Sequence, residues 1–149
     1  MATGSPSTSF VIQFDVEGDP VAKGRPKFSQ VGGFVRTYTP KKTQNYEEHV
    51  AAVAKEAMGT TEPLETPVGV FLYFRMPIPA SYSKKRTQAC LDGWEKHTKR
   101  PDLDNLIKTV LDGLNGVVFK DDCQIVALHC TKVYSTGSGV SVMVKEELA

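Results

Sequence analysis

Leu103, Leu106, Ile107, Val110, Leu111 and Leu114 recur at i, i+3, i+4, i+7, i+8 and i+11. That spacing lays one unbroken apolar stripe along an α-helix and fits no strand, whose faces alternate every second residue. Asn115-Gly116 follows and closes the helix. A stripe this strong has to be covered, and the chain supplies strands to cover it. Residues 10–16 alternate, with Phe10, Ile12, Phe14 and Val16 on one face. Residues 68–76 put Val68, Val70, Leu72, Phe74 and Met76 on one face and strong β-formers opposite. Residues 125–134 and 140–145 read as two more strands, joined as a hairpin by "STGSG". A second helix precedes these: Thr39-Pro40 looks like a start signal, and Tyr46, Val50, Val53, Ala54, Ala57 and Met58 follow at helical spacing over about residues 40–58. "GDPVAKGRPKFSQVGG" reads as a loop, "FVRTYTP" as a short strand, and the basic connection over residues 77–99 as irregular, with one short helix near 84–91. The expected fold is α+β: a small mixed or antiparallel sheet with two main helices packed on it. One domain over residues 10–149 is expected, behind a disordered polar tail at residues 1–9.

Several classes of function are excluded or disfavoured. No apolar run reaches about 18 residues, so no membrane span is expected. "MATGSPSTSF" has neither the basic nor the apolar region of a secretory signal. Three cysteines with no C-x-x-C pair suit reduced thiols in the cytoplasm. Cys123, His129 and Cys130 lack the paired knuckles of a structural zinc site.

The net charge of +1 hides a segregation. Residues 21–42 hold six cations (Lys23, Arg25, Lys27, Arg36, Lys41, Lys42) and no acid. Residues 75–100 hold seven cations against Asp92 and Glu95. Residues 102–122 reverse the sign, with five aspartates against Lys108 and Lys120. An acidic centre flanked by cations suits a metal-dependent enzyme acting on a polyanion. Carboxylates ligate Mg²⁺, which keeps waters and accepts phosphate oxygens. One or two such ions activate water and clamp the oxygens of an in-line displacement, and a neighbouring lysine can neutralise developing charge. Asp102, Asp104 and Asp122, with Lys108, would form such a set if they converge. Asp102 either caps the helix or belongs to an extended "DLD" with Asp104. Lys108 lies about 40° around the helix from Asp104. Whether Asp122 returns to the helix start depends on strand direction, which these residues do not decide. The same residues also fit a plain N-cap, an i,i+4 ion pair and a turn.

"RPDLDNLIKTVLDGLNGVVFKDDCQIV" resembles the signature of the RusA family of Holliday junction resolvases: D-x-D-N-x-x-K at a helix start, then D-D-x-Q-I/V opening a strand. Asp102, Asp104, Asn105, Lys108, Asp112, Leu114, Asp121, Asp122, Gln124 and Ile125 supply that pattern in order. "GDPVAKGRPKF" and "YTPKKTQNYEEHV" also look like the version in bacterial and prophage members, so the likeness runs from about residue 10 to 144, and residues 77–99 are its least family-like part. The resemblance implies a metal-dependent endodeoxyribonuclease of recombination and repair. It would be a homodimer using Mg²⁺, with Mn²⁺ as a substitute, to make paired nicks in four-way DNA junctions. It implies metal binding by Asp102, Asp104 and Asp122, catalysis by these with Lys108, and a secondary acid at Asp121. Cytoplasm of a bacterial or phage-infected cell is the expected place, with no membrane partner and no organic cofactor. Lys23, Arg25, Lys27, Lys84, Lys85, Arg86, Lys99 and Arg100 are candidate DNA contacts, mostly insensitive to sequence and sensitive to salt. The competing expectations are a branched-DNA binder without turnover and a less selective Mg²⁺ nuclease.

Overall fold

A computed structural model describes residues 9–25 and 27–149, without the side chains of Lys27, Phe28, Ser29, Val31 and Arg36. The expected tail at residues 1–9 thus lies almost wholly outside the described residues. Among the described residues six strands and three α-helices follow in the order β1 (Val11–Glu17), β2 (Lys27–Val31), β3 (Phe34–Tyr38), α1 (Lys41–Met58), β4 (Val68–Pro77), α2 (Lys84–Leu91), α3 (Leu103–Leu114), β5 (Ile125–Ser135) and β6 (Gly139–Glu146). A 3₁₀ turn, Asp122–Gln124, leads into β5.

The main sheet has the order β1-β6-β4-β5. β4 pairs antiparallel with β6 and parallel with β5, and β6 pairs antiparallel with β1, so the sheet is mixed. Register aligns Ile12, Val16, Val140, Val142, Val144, Val70, Leu72, Phe74 and Met76 on one face, where all are buried. Onto that face pack Leu106, Val110 and Leu114 of α3 and Val50, Ala54 and Met58 of α1. Burial of each such side chain contributes roughly 1.5–3 kcal/mol. The two helices approach closely at Gly113, where an added Cβ would stand 2.8 Å from Val50 Cβ. The glycine of "LDGL" is therefore a packing requirement.

Two expectations need correction. β5 and β6 are not a hairpin, because β4 lies between them. "VGVFLYF" is the most continuously apolar strand and takes the buried centre. The link from Ser135 to Gly139 has to skip one strand, about 9.6 Å, and four extended residues reach about 13 Å. Arg75 of β4 secures that crossing by donating from Nε to the Gly137 carbonyl at 2.9 Å. The second correction is β2, read as loop from sequence. It forms a two-stranded ribbon with β3, closed by Gly32 and Gly33 at φ +57° and +84°. Positive φ at both central residues is what a tight hairpin turn requires. α1 begins one residue later than expected, with Pro40 at its boundary.

Candidate active site

Asp102 stands at the N-cap position of α3 with extended backbone (φ −70°, ψ 144°), and its carbonyl accepts from Leu106 N–H at 3.1 Å. Its carboxylate makes no capping bond. Asp104 follows in the first turn, and both side chains are exposed. Of the two sequence alternatives, the cap position is the one adopted, with the carboxylate left unused. Among the described residues no ion pair joins Asp104 to Lys108, which is also exposed. The helix N-terminus favours negative charge at this spot by roughly 0.3–1 kcal/mol. Ala22, Arg100, Pro101, Asp102 and Asn105 line an open recess of about 370 Å³ here.

Beneath this recess lies Lys132 of β5, which sequence reasoning did not single out. Its ammonium donates to the carbonyls of Lys99 at 3.0 Å and Pro101 at 2.9 Å. Burial pushes its pKa down, and the charge of Asp102 opposes that shift. The signal was available: Leu128, Cys130, Lys132 and Tyr134 alternate on the face that Phe74 and Met76 share. A lysine at an inward position of an apolar alternation needs polar partners.

Asp122 is elsewhere. It opens the 3₁₀ turn before β5, exposed, beside Asp121. Asp121 is spent on capping: its carboxylate accepts from Cys123 N–H at 3.4 Å, and its own N–H donates to Gln124 Oε1 at 2.8 Å. Hydrogen bonding from Cys123 holds the Asp121 carboxyl below its ordinary range. Gln124 Nε2 donates to the Leu64 and Thr66 carbonyls at 2.8 and 2.9 Å, tying the turn to the entry of β4. From Ile125 to Lys132 the strand advances about 23 Å, and the 12 residues of α3 span about 18 Å. Within one chain, then, Asp122 is roughly 20 Å from the Asp102 end. Among the described residues no three His, Cys, Asp or Glu side chains stand together so as to hold a metal ion. The question that strand direction left open is thus answered for one chain: Asp122 does not reach the Asp102 end. Since β5 runs antiparallel to α3, its start meets the helix C-terminus.

The candidate DNA-contacting cations divide. Lys23 is largely buried between Glu47 at 2.7 Å and Asp112 at 3.0 Å. Burial works against its charge, but the hydrogen bonds to those two carboxylates outweigh it and raise the pKa. It is a tie between the loop, α1 and α3 rather than an open cation. Arg86 is held by Glu95 at 2.9 Å, and Lys99 donates to Tyr82 Oη at 2.8 Å. Arg25, Lys84, Lys85 and Arg100 are exposed and in no ion pair among the described residues. The side chains of Lys27 and Phe28 lie outside the described residues.

Residues 17–145 match the family model for endodeoxyribonuclease RusA. The chain belongs to the RusA family. The RusA match spans the recess, the acids at both ends of α3 and most of the sheet, and it makes this chain a member of an endodeoxyribonuclease family. Among curated relatives, uncharacterized protein YqaN of Bacillus subtilis (strain 168) is 39% identical over 137 residues, covering 91% of this chain and 96% of that protein. The crossover junction endodeoxyribonuclease rusA of Lactococcus phage r1t is 27% identical over 141 residues, covering 92% and 98%. No described helix is long and apolar enough to cross a membrane.

Proposed function

We propose that this RusA-family chain is a structure-selective endodeoxyribonuclease that resolves four-way DNA junctions by paired symmetric nicks. Its metal set would be Asp102 and Asp104 of one copy with Asp122 of a second. The observation that carries this reading is a division: two uncommitted carboxylates at one end of α3 and β5, and a third, equally uncommitted, at the other end. These are hard oxygen donors suited to Mg²⁺ or Mn²⁺. When bound, the cation supplies Lewis-acid stabilisation to phosphoryl oxygens and a more acidic water. Lys108, on the Asp104 face of α3, would balance charge at the scissile phosphate. Asp121 acts through its cap, by fixing the turn that carries Asp122.

A two-fold dimer would close the gap. β5 is an edge strand, with Val126 64% and Leu128 44% exposed near its start. A long apolar edge invites pairing. Antiparallel pairing of two β5 strands centred on Ala127 would set the partner copy's Asp122 level with Lys132, which holds the Pro101 carbonyl beside Asp102. Two symmetric sites then suit two symmetric strands. The test is to incubate a four-way junction, a linear duplex and a phosphomonoester separately with protein and Mg²⁺. Paired nicks in the junction alone support this function. Junction binding without nicks, or equal cutting of the duplex, contradicts it.

A further inference from the structure

The segment between β4 and α3 displays Trp94 with 85% of its surface in solvent. An indole is the largest apolar group a chain can bury, so leaving it out forgoes substantial hydrophobic stabilisation. Disorder does not account for the display, because the turn that carries it is clamped. The Trp94 and Glu95 N–H groups both donate to the Ala89 carbonyl, at 2.9 and 3.1 Å, across a Gly93 held at φ +82°. Glu95 takes the Arg86 guanidinium, which lies 3.7 Å over the Tyr82 ring. Tyr82 meets Tyr134 of β5 edge-on, and His97 packs on the same Tyr134 with centroids 4.8 Å apart. Burial, and then the charge of Lys132, lowers the His97 pKa, which favours the neutral ring in this packing. The clamp therefore rests on the end of β5 where Lys132 fixes the loop into Asp102.

The segment that carries the indole has a net positive charge, and Lys96 Nζ reaches back to Gly93 beside it. Lys84, Lys85, Lys96, Lys99 and Arg100 are all exposed on this segment, against one exposed acid, Asp92, which accepts from Gln88, while Glu95 is committed to Arg86. A flat apolar face among cations matches a ligand with flat faces and attached anions, namely a nucleic-acid base beside its phosphates. Bases inside a continuous duplex are stacked on both sides and offer no such face. At a branch point the stack is interrupted, and a base there can present one.

We propose that Trp94 is a stacking platform for a base exposed at the branch point of junction DNA, with Lys96 and Lys99 on the adjoining phosphates. It discriminates branched from continuous DNA. This inference rests on the junction-cutting reading above and adds a specificity-determining residue to it.

Trp94 is the chain's single tryptophan, so intrinsic fluorescence reports on it alone. The experiment titrates the full-length Asp104→Asn protein, in Mg²⁺, with a four-way junction and with a linear duplex, following anisotropy of labelled DNA and tryptophan emission together. Saturating junction quenches the emission and saturating duplex does not. Trp94→Ala weakens junction binding by roughly tenfold, within the range of one base–aromatic stack, and leaves duplex binding unchanged. Trp94→Phe, which keeps a stacking face, stays within about threefold of the parent. Junction binding with unaltered emission and equal affinity in Trp94→Ala overturns the proposal. So does an emission maximum that shifts with protein concentration before DNA is added, since that places the indole between protein copies. If the unmutated protein neither binds nor cuts a four-way junction, the functional reading itself fails and this inference falls with it.

Discussion

The two ends of the α3–β5 layer carry similar acids in different settings. At the Asp102 end the backbone is held from below, by the Lys132 ammonium on two carbonyls, and the carboxylates of Asp102 and Asp104 have no partner among the described residues. At the Asp122 end the backbone is held from the side, by the Asp121 cap and by Gln124 on the β4 entry, and again one carboxylate is left over. In each case neighbouring residues take the structural work and spare particular acids. In the proposed arrangement a single chain carries two halves of a cation site, one at each end, and cannot join them itself. Among adjacent acids, the difference between a cap and a free carboxylate separates Asp121 from Asp122.

The sharpest way to break this division is to remove one free acid. Asp104→Asn should lower junction cleavage by more than about 10²-fold, since losing a ligand outweighs losing a supporting contact. Gel-shift affinity for the junction should hold or tighten, because a charge repelling phosphate is gone. Unimpaired cleavage would remove Asp104 from the site. Next in size is the core on which both ends rest. Leu106→Ala, at a fully buried position, should cost about 2–5 kcal/mol in urea unfolding with no direct loss of metal affinity. A cost under 1 kcal/mol would mean that α3 is not anchored as described.

Lys23 sharpens the contrast between structural and DNA-facing cations. Lys23→Met should reduce stability by about 1 kcal/mol, as a mostly buried pair to two carboxylates, and leave the salt dependence of DNA binding unchanged. Lys84→Ala with Lys85→Ala should reduce that salt slope by about 1–2 and leave stability alone. An exchange of these two outcomes would reverse the assignments. The Lys23 pKa is raised in the folded chain, so its contribution is present at neutral pH and is lost as pH climbs through the folded value above about 10.4. The smallest effect belongs to Asp121→Asn, a modest drop in melting temperature with cleavage largely kept. The Asp121 carboxyl is depressed, so its contribution is present above about pH 4 and fades as pH falls through its lower folded value. Asp121→Asn should flatten that part of the stability profile.

Much of this was legible before any coordinates. The spacing from Leu103 to Leu114 marks α3 end to end, and the alternation in "VGVFLYF" marks β4. Short-range pattern also gave the residue types of the site. It did not give adjacency. Nothing local in residues 125–146 says that β4 inserts between β5 and β6, because that depends on which strand is apolar enough to be buried on both sides. The same ignorance of direction left Asp122 unplaced: once β5 runs parallel to β4, its start belongs to the far end of α3. β2 does not stand out locally, because Gly32-Gly33 fits loop composition as well as a hairpin centre. Lys132 was missed because one inward lysine looks unremarkable until it is asked which carbonyls it serves.

The central claim, that each site is shared between two copies, has one direct test. Asp104→Asn and Asp122→Asn proteins, each inactive alone, are mixed under conditions that exchange subunits and given a four-way junction with Mg²⁺. A shared site predicts that the mixed dimer regains one intact site of two and nicks single strands of the junction. If the mixture stays as inactive as its components while subunit exchange is confirmed, the acids do not combine across copies and the account is wrong.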